Sequence, residues 1–161
     1  MCKEIVPVFH LFERKPAFYD DEIRLVLSSH DPTDESCGIR GGYTFRIYPV
    51  NGKDYMGYVS LRLGESDELY YLGHIGYRIE EKFRGHGYAA RACELIKPLC
   101  SRLGMESITI TANPENIASR KTCEKLGCVL ESIVQVPSRY RYICMDAEEK
   151  CRYIWYTAKT E

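Results

Sequence analysis

The sequence has no long apolar run, and no apolar segment follows a basic start. A helix that crosses a bilayer needs about 20 predominantly apolar residues, and no stretch of this 161-residue chain reaches that length. A secretory signal begins with basic residues followed by an apolar stretch, whereas this chain begins Met1-Cys2-Lys3-Glu4. We therefore expect a cytoplasmic protein that has no membrane partner.

The sequence also lacks an excess of charge of either sign. Lysines and arginines number 22, against 23 aspartates and glutamates, which gives a formal net charge of −1. A polyanion such as DNA is attracted by a net positive field, so we do not expect a nucleic-acid partner. No repeat, charge block or Gly/Ser-rich linker divides the chain, and one domain usually has about 100–200 residues. We expect residues 1–161 to form a single domain.

The spacings typical of cysteine-based metal and redox sites are missing too. No two of the eight cysteines are separated by two residues, as they are in a zinc knuckle or a redox dithiol, and the four histidines are scattered. A chain of this length without a secretion signal does not need disulfides. We expect no metal, and reduced thiols that pack as small core residues: Cys2, Cys37, Cys93, Cys100, Cys123, Cys128, Cys144 and Cys151.

The first half of the chain predicts mainly strands. Residues 5–12 are predicted as a strand that Pro7 confines to a sheet edge, and residues 19–29 as a short helix with Ile23, Val26 and Leu27 facing inward. Three β-rich segments separated by turn residues then predict an antiparallel meander; they are residues 43–50, 54–63 and 69–79.

After residue 79 the apolar period changes from two to 3.6 residues. Residues 87–103 predict a helix that ends at Gly104, with Pro98 poorly placed inside it. A second helix is predicted from a cap at Asn116 to Gly127. Strands are predicted before and after that helix, and a tyrosine-rich stretch separates the last two; the segments are residues 107–112, 129–136 and 152–157. The order of elements predicts a mixed α/β sheet flanked by helices.

The most informative segment is Arg84-Gly85-His86-Gly87-Tyr88-Ala89, between a predicted strand and a predicted helix. The start of a helix presents unpaired backbone N–H groups and a partial positive charge, and glycines let a ligand approach the main chain. Such a turn is suited to a phosphate or pyrophosphate. The alternative is a tight strand-to-helix connection that needs two glycines for their dihedral angles.

Two other phosphate loops are excluded by the residues that follow. A nucleoside-triphosphate P-loop has Lys-Ser/Thr after its last glycine, whereas Tyr88-Ala89 follows Gly87 here. A dinucleotide fingerprint has a sixth-position glycine after a strand of a parallel sheet. That position holds Ala90, and the preceding strands are predicted to be antiparallel.

Three segments together resemble the GCN5-related N-acetyltransferase (GNAT) family. The pattern Arg84-x-x-Gly87-x-Ala89 is similar to its acetyl-coenzyme A loop. The preceding Gly73-His74-Ile75-Gly76-Tyr77 is similar to a strand of the ribosomal-protein and antibiotic-modifying branches. Residues 113–119, followed by Lys125-Leu126-Gly127-Cys128, are similar to a second cofactor element. The resemblance implies a mostly antiparallel central sheet, splayed between two central strands and flanked by helices.

The resemblance also implies an enzyme that transfers an acetyl group from acetyl-coenzyme A to a primary amine of a small molecule or peptide. The splayed strand would pair with the pantetheine arm as an added strand. Arg120 and Lys121 would be partners for the 3′-phosphate, with a solvated helix face as the alternative. The cofactor-binding residues implied are Tyr77, Ile79, Arg84, Gly85, His86, Gly87, Tyr88, Ala89, Asn116, Ser119 and Arg120.

The catalytic groups follow the family pattern less closely. His74 stands where related enzymes often have a glutamate, and an imidazole changes protonation between about pH 5 and 8, so we expect His74 to act as the base. The alternative is a buried, structural histidine. The family's usual acid is a tyrosine four residues before the helix-ending glycine, a position that Cys123 fills here. Cys123, Tyr140 and Tyr142 are the acid candidates, and water is a further alternative.

The acceptor is not specified by these motifs. The acidic residues Asp20, Asp21, Glu22, Asp31, Asp34 and Glu35 would attract a cationic amine or form a solvated surface. The aromatic residues near the end of the chain would pack a core strand, wall an acceptor pocket or make a homodimer contact. Because the helix tyrosine is missing, a non-catalytic acyl-coenzyme A sensor or interaction module remains the alternative function.

Overall fold

The computed structural model describes residues 18–158 and contains a five-stranded and a three-stranded sheet. The first sheet has the order β1-β2-β3-β4-β5, and all its neighbouring strands are antiparallel. Its strands are β1 (Phe18–Tyr19), β2 (Ile23–Asp34), β3 (Ile39–Pro49), β4 (Gly57–Arg62) and β5 (Ile75–Ile79). The strand predicted at residues 5–12 lies outside the described residues.

The second half of the chain supplies two helices and the smaller sheet. Helix α2 (Tyr88–Arg102) continues through the exposed Pro98. The following elements are β6 (Ser107–Ala112), α3 (Ile117–Lys125), β7 (Val129–Gln135) and β8 (Glu149–Tyr156), and the strands pair antiparallel in the order β6-β8-β7. The predicted mixed α/β fold, with mostly antiparallel sheets flanked by helices, is confirmed.

The short helix predicted at residues 19–29 is wrong, because this segment contains the start of β2. Ile23 and Leu25 are fully buried, whereas Val26 is 37% exposed. This alternation has the period of two that a strand requires. Pairing with β3 from Ile23↔Pro49 to Leu27↔Phe45 fixes the strand, and a local apolar pattern does not report such long-range pairing.

The strand predicted at residues 69–79 is correct only in its second part, because helix α1 (Asp67–Leu72) precedes β5. Ser66 caps this helix by accepting a 3.0 Å hydrogen bond from the Leu69 N–H. Asp67 and Glu68 lie in the first turn, where carboxylates favour a helix. These capping signals outweigh the β-forming tyrosines of the segment.

The two faces of the larger sheet differ in their surroundings. One face packs its apolar side chains, including Phe45, Val59 and Leu61, into the core with α2. The opposite face, here called the open face, carries Val26, Arg46, Tyr58 and Arg78, which are direct neighbours across four strands. The connection between β2 and β3 is only a 3₁₀ turn at Glu35–Cys37, so it places no helix over this face.

The two sheets meet at His74, directly before β5. The His74 N–H donates to the Thr109 carbonyl at 2.8 Å, and the Thr109 N–H donates to His74 Nδ1 at 3.1 Å. Beyond this junction β5 and β6 belong to separate sheets. The resulting gap between two central strands is the feature on which the site depends.

The tyrosine-rich stretch between β7 and β8 forms a 3₁₀ helix at Ser138–Cys144. It packs against α1, where the Tyr71 and Tyr140 rings stack with centroids 5.4 Å apart. Within residues 18–158, no helix is both long and apolar enough to cross a membrane.

Because residues 23–27 form part of a strand, two side-chain truncations in this segment should change the free energy of unfolding by unequal amounts. In a helix, the two changes would be similar. Ile23→Ala removes a fully buried side chain, so we expect a loss of about 2–5 kcal/mol in the free energy of unfolding. Val26→Ala, on the open face, should change it by less than about 1 kcal/mol. Urea unfolding of both variants measures the difference, and equal losses would contradict the strand register.

Candidate active site

A cleft of about 760 Å³ lies between the end of β5, the start of α2 and one side of α3. It begins beyond the His74 junction, where the two sheets have separated. The lining residues come from three stretches of the chain: Tyr77, Arg78, Ile79, Phe83, Arg84, Gly85, Gly87, Tyr88, Ala89, Ala90, Asn116, Ile117, Ala118, Ser119, Lys121, Thr122 and Lys125. The cleft therefore joins the two motif regions identified in the sequence.

The turn before α2 presents a run of free backbone donors. Gly85 and Gly87 have φ values of 83° and 76°, in the left-handed region that favours glycine. The first amide N–H of this segment with an acceptor is that of Arg91, which donates to the Gly87 carbonyl at 3.1 Å. Among the described residues, the N–H groups from Gly85 to Ala90 have no acceptor. Such a run at a helix N-terminus is a site for an anion.

Lys125 adds a positive charge to this turn, which the sequence reasoning missed. A Cβ built on Gly87 would overlap Lys125 Nζ, so the ammonium group of the last residue of α3 lies against the start of α2. No carboxylate among residues 18–158 lies within 4 Å of it. The glycine spacing gave no signal for Lys125, because contact between the ends of two helices depends on the tertiary fold.

Most of the residues proposed to bind the cofactor line this one cleft. The exceptions are His86, whose ring lies 5.6 Å from that of Tyr88, and Arg120. Arg120 donates to the Tyr153 hydroxyl and to the Pro114 carbonyl, both at 3.2 Å. The structure directs its guanidinium to β8, whereas Lys121 does line the cleft.

Tyr77 connects β5 to α3 across the cleft. Its hydroxyl lies 2.8 Å from Ser119 Oγ and donates to the Ser119 carbonyl at 3.3 Å. Burial raises the pKa of Tyr77 well above its usual range. Asn116 caps α3 by accepting a 3.1 Å hydrogen bond from the Ser119 N–H, as its sequence position predicted.

His74, the predicted base, is buried at the junction of the sheets and is not part of the cleft lining. Nδ1 accepts the Thr109 N–H, and Nε2 lies 3.1 Å from the Gly64 carbonyl and 3.3 Å from Glu65 Oε1. The proton of the neutral ring is thus placed on Nε2, where it donates to Gly64. Both nitrogens have partners that hold the junction.

The three acid candidates of the sequence lie at two separate places. Cys123 is a fully buried residue of α3, and its hydrogen bond with Cys128, and secondly burial, raises its thiol pKa well above the usual range. Tyr140 is 9% exposed and stacks on Tyr71, away from the cleft lining. The exposed Tyr142 belongs to the same 3₁₀ helix.

The acidic residues near the start of the chain have partners. Asp20, Asp21 and Glu22 all contact Arg91 of α2; Asp20 Oδ2 lies 2.9 Å and Glu22 Oε1 3.2 Å from it. Asp31 accepts from Ser29 and Thr44, and Asp34 caps the 3₁₀ turn through Ser36. Five of the six acidic residues named in the sequence thus have partners, and attraction of a cationic amine by this group stays a prediction.

Comparison with known families supports the motif assignment. The profile of the acetyltransferase (GNAT) domain matches residues 19–129. No curated protein sequence matches the chain significantly.

Several solved acetyltransferase structures share the fold. The ribosomal-protein-S5-alanine acetyltransferase from Vibrio fischeri is 22% identical, with a TM-score of 0.58 over 74% of this chain and 64% of that one. The acetyl transferase from Salmonella typhimurium that modifies the N-terminal serine of L7/L12 is 18% identical, with a TM-score of 0.53 over 71% and 63%. A microcin C7 self-immunity acetyltransferase in complex with acetyl-CoA and AMP is 19% identical, with a TM-score of 0.55 over 71% and 61%. The chain thus spans less than two thirds of these proteins, and identities this low show likeness of fold alone.

The different pKa values of the thiols predict that alkylation of the native protein is selective. The hydrogen bond from Cys123 lowers the pKa of the half-buried Cys128, whereas burial raises that of Cys93 and Cys100. Since the thiolate is the nucleophile, iodoacetamide should modify Cys128 in the native protein before Cys93, Cys100 or Cys123. Peptide mapping by mass spectrometry, with a denatured sample as the fully labelled control, checks this order. Labelling of Cys123 as fast as Cys128 would contradict it.

Proposed function

Because the chain belongs to the GNAT acetyltransferase domain family, we propose that it transfers the acetyl group of acetyl-coenzyme A directly to a primary amine. The acceptor is a small molecule or a peptide. The observation that carries the proposal is the run of amide N–H groups from Gly85 to Ala90, which lacks acceptors among the described residues and faces a cleft between two separated sheets. A cytoplasmic location, a homodimer and a single domain over residues 1–161 remain predictions.

The phosphate groups of coenzyme A fit the start of α2. The amide N–H groups would donate to the pyrophosphate, and Lys125 would add a charge at the same place. Lys121, one turn earlier on α3, lines the same cleft and is the better candidate for the 3′-phosphate, since Arg120 is held by Tyr153 and Pro114.

The pantetheine arm fits the edge of β5. This strand pairs with β4 on one side and is the last strand of its sheet, so beyond His74 its other edge has no strand partner among the described residues. An extended ligand with amide groups binds such an edge as an added strand. Tyr77, Arg78 and Ile79 supply that edge.

The chemical step requires two proton transfers. Acetyl-coenzyme A supplies a thioester, whose carbonyl carbon is attacked by the free amine as the thiolate leaves. An amine with a pKa near 10 is almost fully protonated at pH 7, so a base or a water chain must first deprotonate it. After the attack a second proton must pass from the nitrogen to the departing thiolate, directly or through an acid. His74 as the base and Cys123 or Tyr140 as the acid remain proposals, and the Tyr77 hydroxyl is the phenol beside Cys123.

The burial of two proposed catalytic groups favours a second candidate function. His74 and Cys123 are 4% and 0% exposed, and neither lines the cleft. A protein that binds acyl-coenzyme A without turnover, as a sensor or interaction module, would need the cleft but not these groups.

Turnover separates the two functions. Acetyl-coenzyme A consumption is measured by thiol release across a panel of amines, amino acids and peptide N-termini, with a no-amine sample as the hydrolysis control. Amine-dependent release with formation of the N-acetyl product supports the transferase. Tight cofactor binding without amine-dependent release would favour the sensor, and loss of both would overturn the cleft assignment.

The position of Lys125 predicts that its replacement weakens cofactor binding, whereas replacement of a cation directed elsewhere does not. Lys125→Met removes a charge from the phosphate site, and a charge-assisted contact contributes about 1.5–3 kcal/mol. We therefore expect calorimetry to show acetyl-coenzyme A binding weakened by about 10- to 100-fold. Arg120→Met, four residues after the N-cap of the same helix but directed at β8, is the control and should retain affinity within about threefold. Equal losses in both variants would contradict the role of Lys125.

Two substitutions at His74 separate a base from a structural residue. Asn places an acceptor near Nδ1 and can keep the Thr109 contact, whereas Gln reaches toward Gly64; neither titrates. If His74 is the base, both variants lose about 10²–10⁴-fold in kcat while cofactor affinity is kept. If His74 is structural, His74→Asn retains near-normal kcat. The Asn and Gln variants then differ in melting temperature. Near-normal kcat in either variant would contradict the base assignment.

A further inference from the structure

Tyr77 is the β5 residue of the cleft lining that lies nearest to the His74 junction. Its ring packs against the core, and its hydroxyl lies 2.8 Å from Ser119 Oγ and 3.3 Å from the Ser119 carbonyl oxygen. Ser119 belongs to α3 and also lines the cleft. The phenol hydroxyl therefore lies between two lining residues at the end of the cleft nearest the junction, here called the inner end.

In the proposed binding mode, the inner end is where the thioester lies. The N–H groups from Gly85 to Ala90 bind the phosphates, and the edge of β5 runs from Ile79 back to Tyr77, toward the junction. A coenzyme A arm that extends along this edge has its sulfur at the end opposite the phosphates. The sulfur is therefore expected near the Tyr77 and Ser119 hydroxyls.

The other hydrogen-bond donors of the cleft lining lie elsewhere or have partners. Tyr88 begins α2, beside the phosphate turn, and the Thr122 hydroxyl donates to a carbonyl one turn earlier in α3 at 3.0 Å. Of the cations, the lysines are the proposed phosphate ligands, Arg84 donates to a β5 carbonyl at 2.9 Å, and Arg78 extends from the open face. The tyrosine and serine that contact each other remain as the hydroxyl donors of the inner end.

The contact between Tyr77 and Ser119 allows the phenol hydrogen to point in either of two directions. Either hydroxyl can donate across the 2.8 Å separation. When Ser119 donates to the phenol oxygen, the phenol hydrogen can turn from the Ser119 carbonyl to a ligand in the cleft. A serine donor also stabilises a phenolate oxygen. Tyr77 can thus give up its proton without movement of a heavy atom.

The surroundings of the phenol keep it protonated at neutral pH. Burial raises the pKa of Tyr77 well above its usual range. The titratable groups that face it are the thiols of Cys123 on α3 and Cys93 on α2, whose pKa values are raised as well. Because a phenolate is unfavourable here, a proton that leaves Tyr77 must be replaced within the same reaction.

Resting on the proposed acetyltransferase function, we propose that the Tyr77 hydroxyl donates the proton that the departing thiolate receives. As the bond between the carbonyl carbon and sulfur breaks, its electron pair stays on sulfur, and sulfur forms a bond to the Tyr77 proton. The phenolate regains a proton from the nitrogen of the new amide, directly or through the Ser119 hydroxyl. The products are the N-acetyl amine and coenzyme A, and both hydroxyls return to their starting state.

The variant Tyr77→Phe tests the role in turnover, because it keeps the ring and removes only the O–H group. With an amine that the wild-type protein acetylates, we expect kcat to fall by about 10²–10⁴-fold, while the Kd for acetyl-coenzyme A stays within about threefold. Tyr58→Phe is the matched control, since it removes a hydroxyl from the open face of the adjacent strand β4. It should keep kcat within about threefold of the wild-type value.

The thiol of bound coenzyme A gives a second readout that does not require turnover. A hydroxyl that donates to the thiolate stabilises the charged form and lowers the pKa of the thiol. An NMR titration of coenzyme A, isotopically labelled beside its sulfur, measures this pKa in the complex. We expect it to be lower in the wild-type complex than in the Tyr77→Phe complex by about one pH unit, and unchanged by Tyr58→Phe.

The proton donor and the acetyltransferase function fail in different ways. Near-normal kcat in Tyr77→Phe, or equal thiol pKa values in the two complexes, would overturn the role of Tyr77 and leave the transferase standing. A loss of kcat in Ser119→Ala but not in Tyr77→Phe would assign the donor to the serine and likewise overturn it. Wild-type protein that binds acetyl-coenzyme A but acetylates no amine would overturn the transferase, and the donor role with it.

Discussion

The contact between His74 and Thr109 determines where the two sheets separate. Up to this point β4, β5 and β6 are joined through hydrogen bonds from Arg62 to His74 and from His74 to Thr109. Beyond it β5 has an edge without a strand partner among residues 18–158, Tyr77 reaches across to α3, and the cleft opens. The imidazole adds a backbone-like acceptor to the junction, because Nδ1 takes the Thr109 N–H that a strand carbonyl would otherwise take. The geometry of the site follows from the place where pairing ends.

The second constraint is electrostatic, because the chain collects positive charge at the start of α2. Backbone N–H groups of this helix and the Lys125 ammonium converge on the cofactor side of the gap. Asp20, Asp21 and Glu22 are bound to Arg91 and do not cancel this charge. A net charge of −1 for the whole chain conceals this distribution.

The sequence predicted the elements that carry local signals. Gly85 and Gly87 marked the turn, Asn116 marked the cap of α3, and the 3.6-residue period marked α2 within one residue at each end. Where pairing between distant strands decides, as in β2, the same apolar residues fit a helix and the prediction failed. In α1, the cap at Ser66 decided against the strand.

The sequence reasoning missed the charge that Lys125 adds to the turn, because a contact between distant parts of the chain creates it. Lys125 reaches Gly87 because α3 packs beside α2. No spacing in the sequence announces such contacts. The assignment of Arg120 to the cofactor stays a prediction; its guanidinium contacts Tyr153 while the adjacent Lys121 lines the cleft, because neighbouring residues of a helix point in different directions.

The three carboxylates on Arg91 make the anchoring of α2 asymmetric. Arg91 lies in the first turn of the helix that presents the phosphate loop, and Asp20, Asp21 and Glu22 hold it from the turn between β1 and β2. Loss of any one acid leaves two others in contact, so the attachment is redundant on that side. Loss of the arginine instead leaves three like charges crowded together with no counterion, so repulsion replaces attraction. The ionic attachment of α2 to the β1–β2 turn therefore tolerates change among the acids and depends on a single cation, whereas core packing holds the rest of the helix.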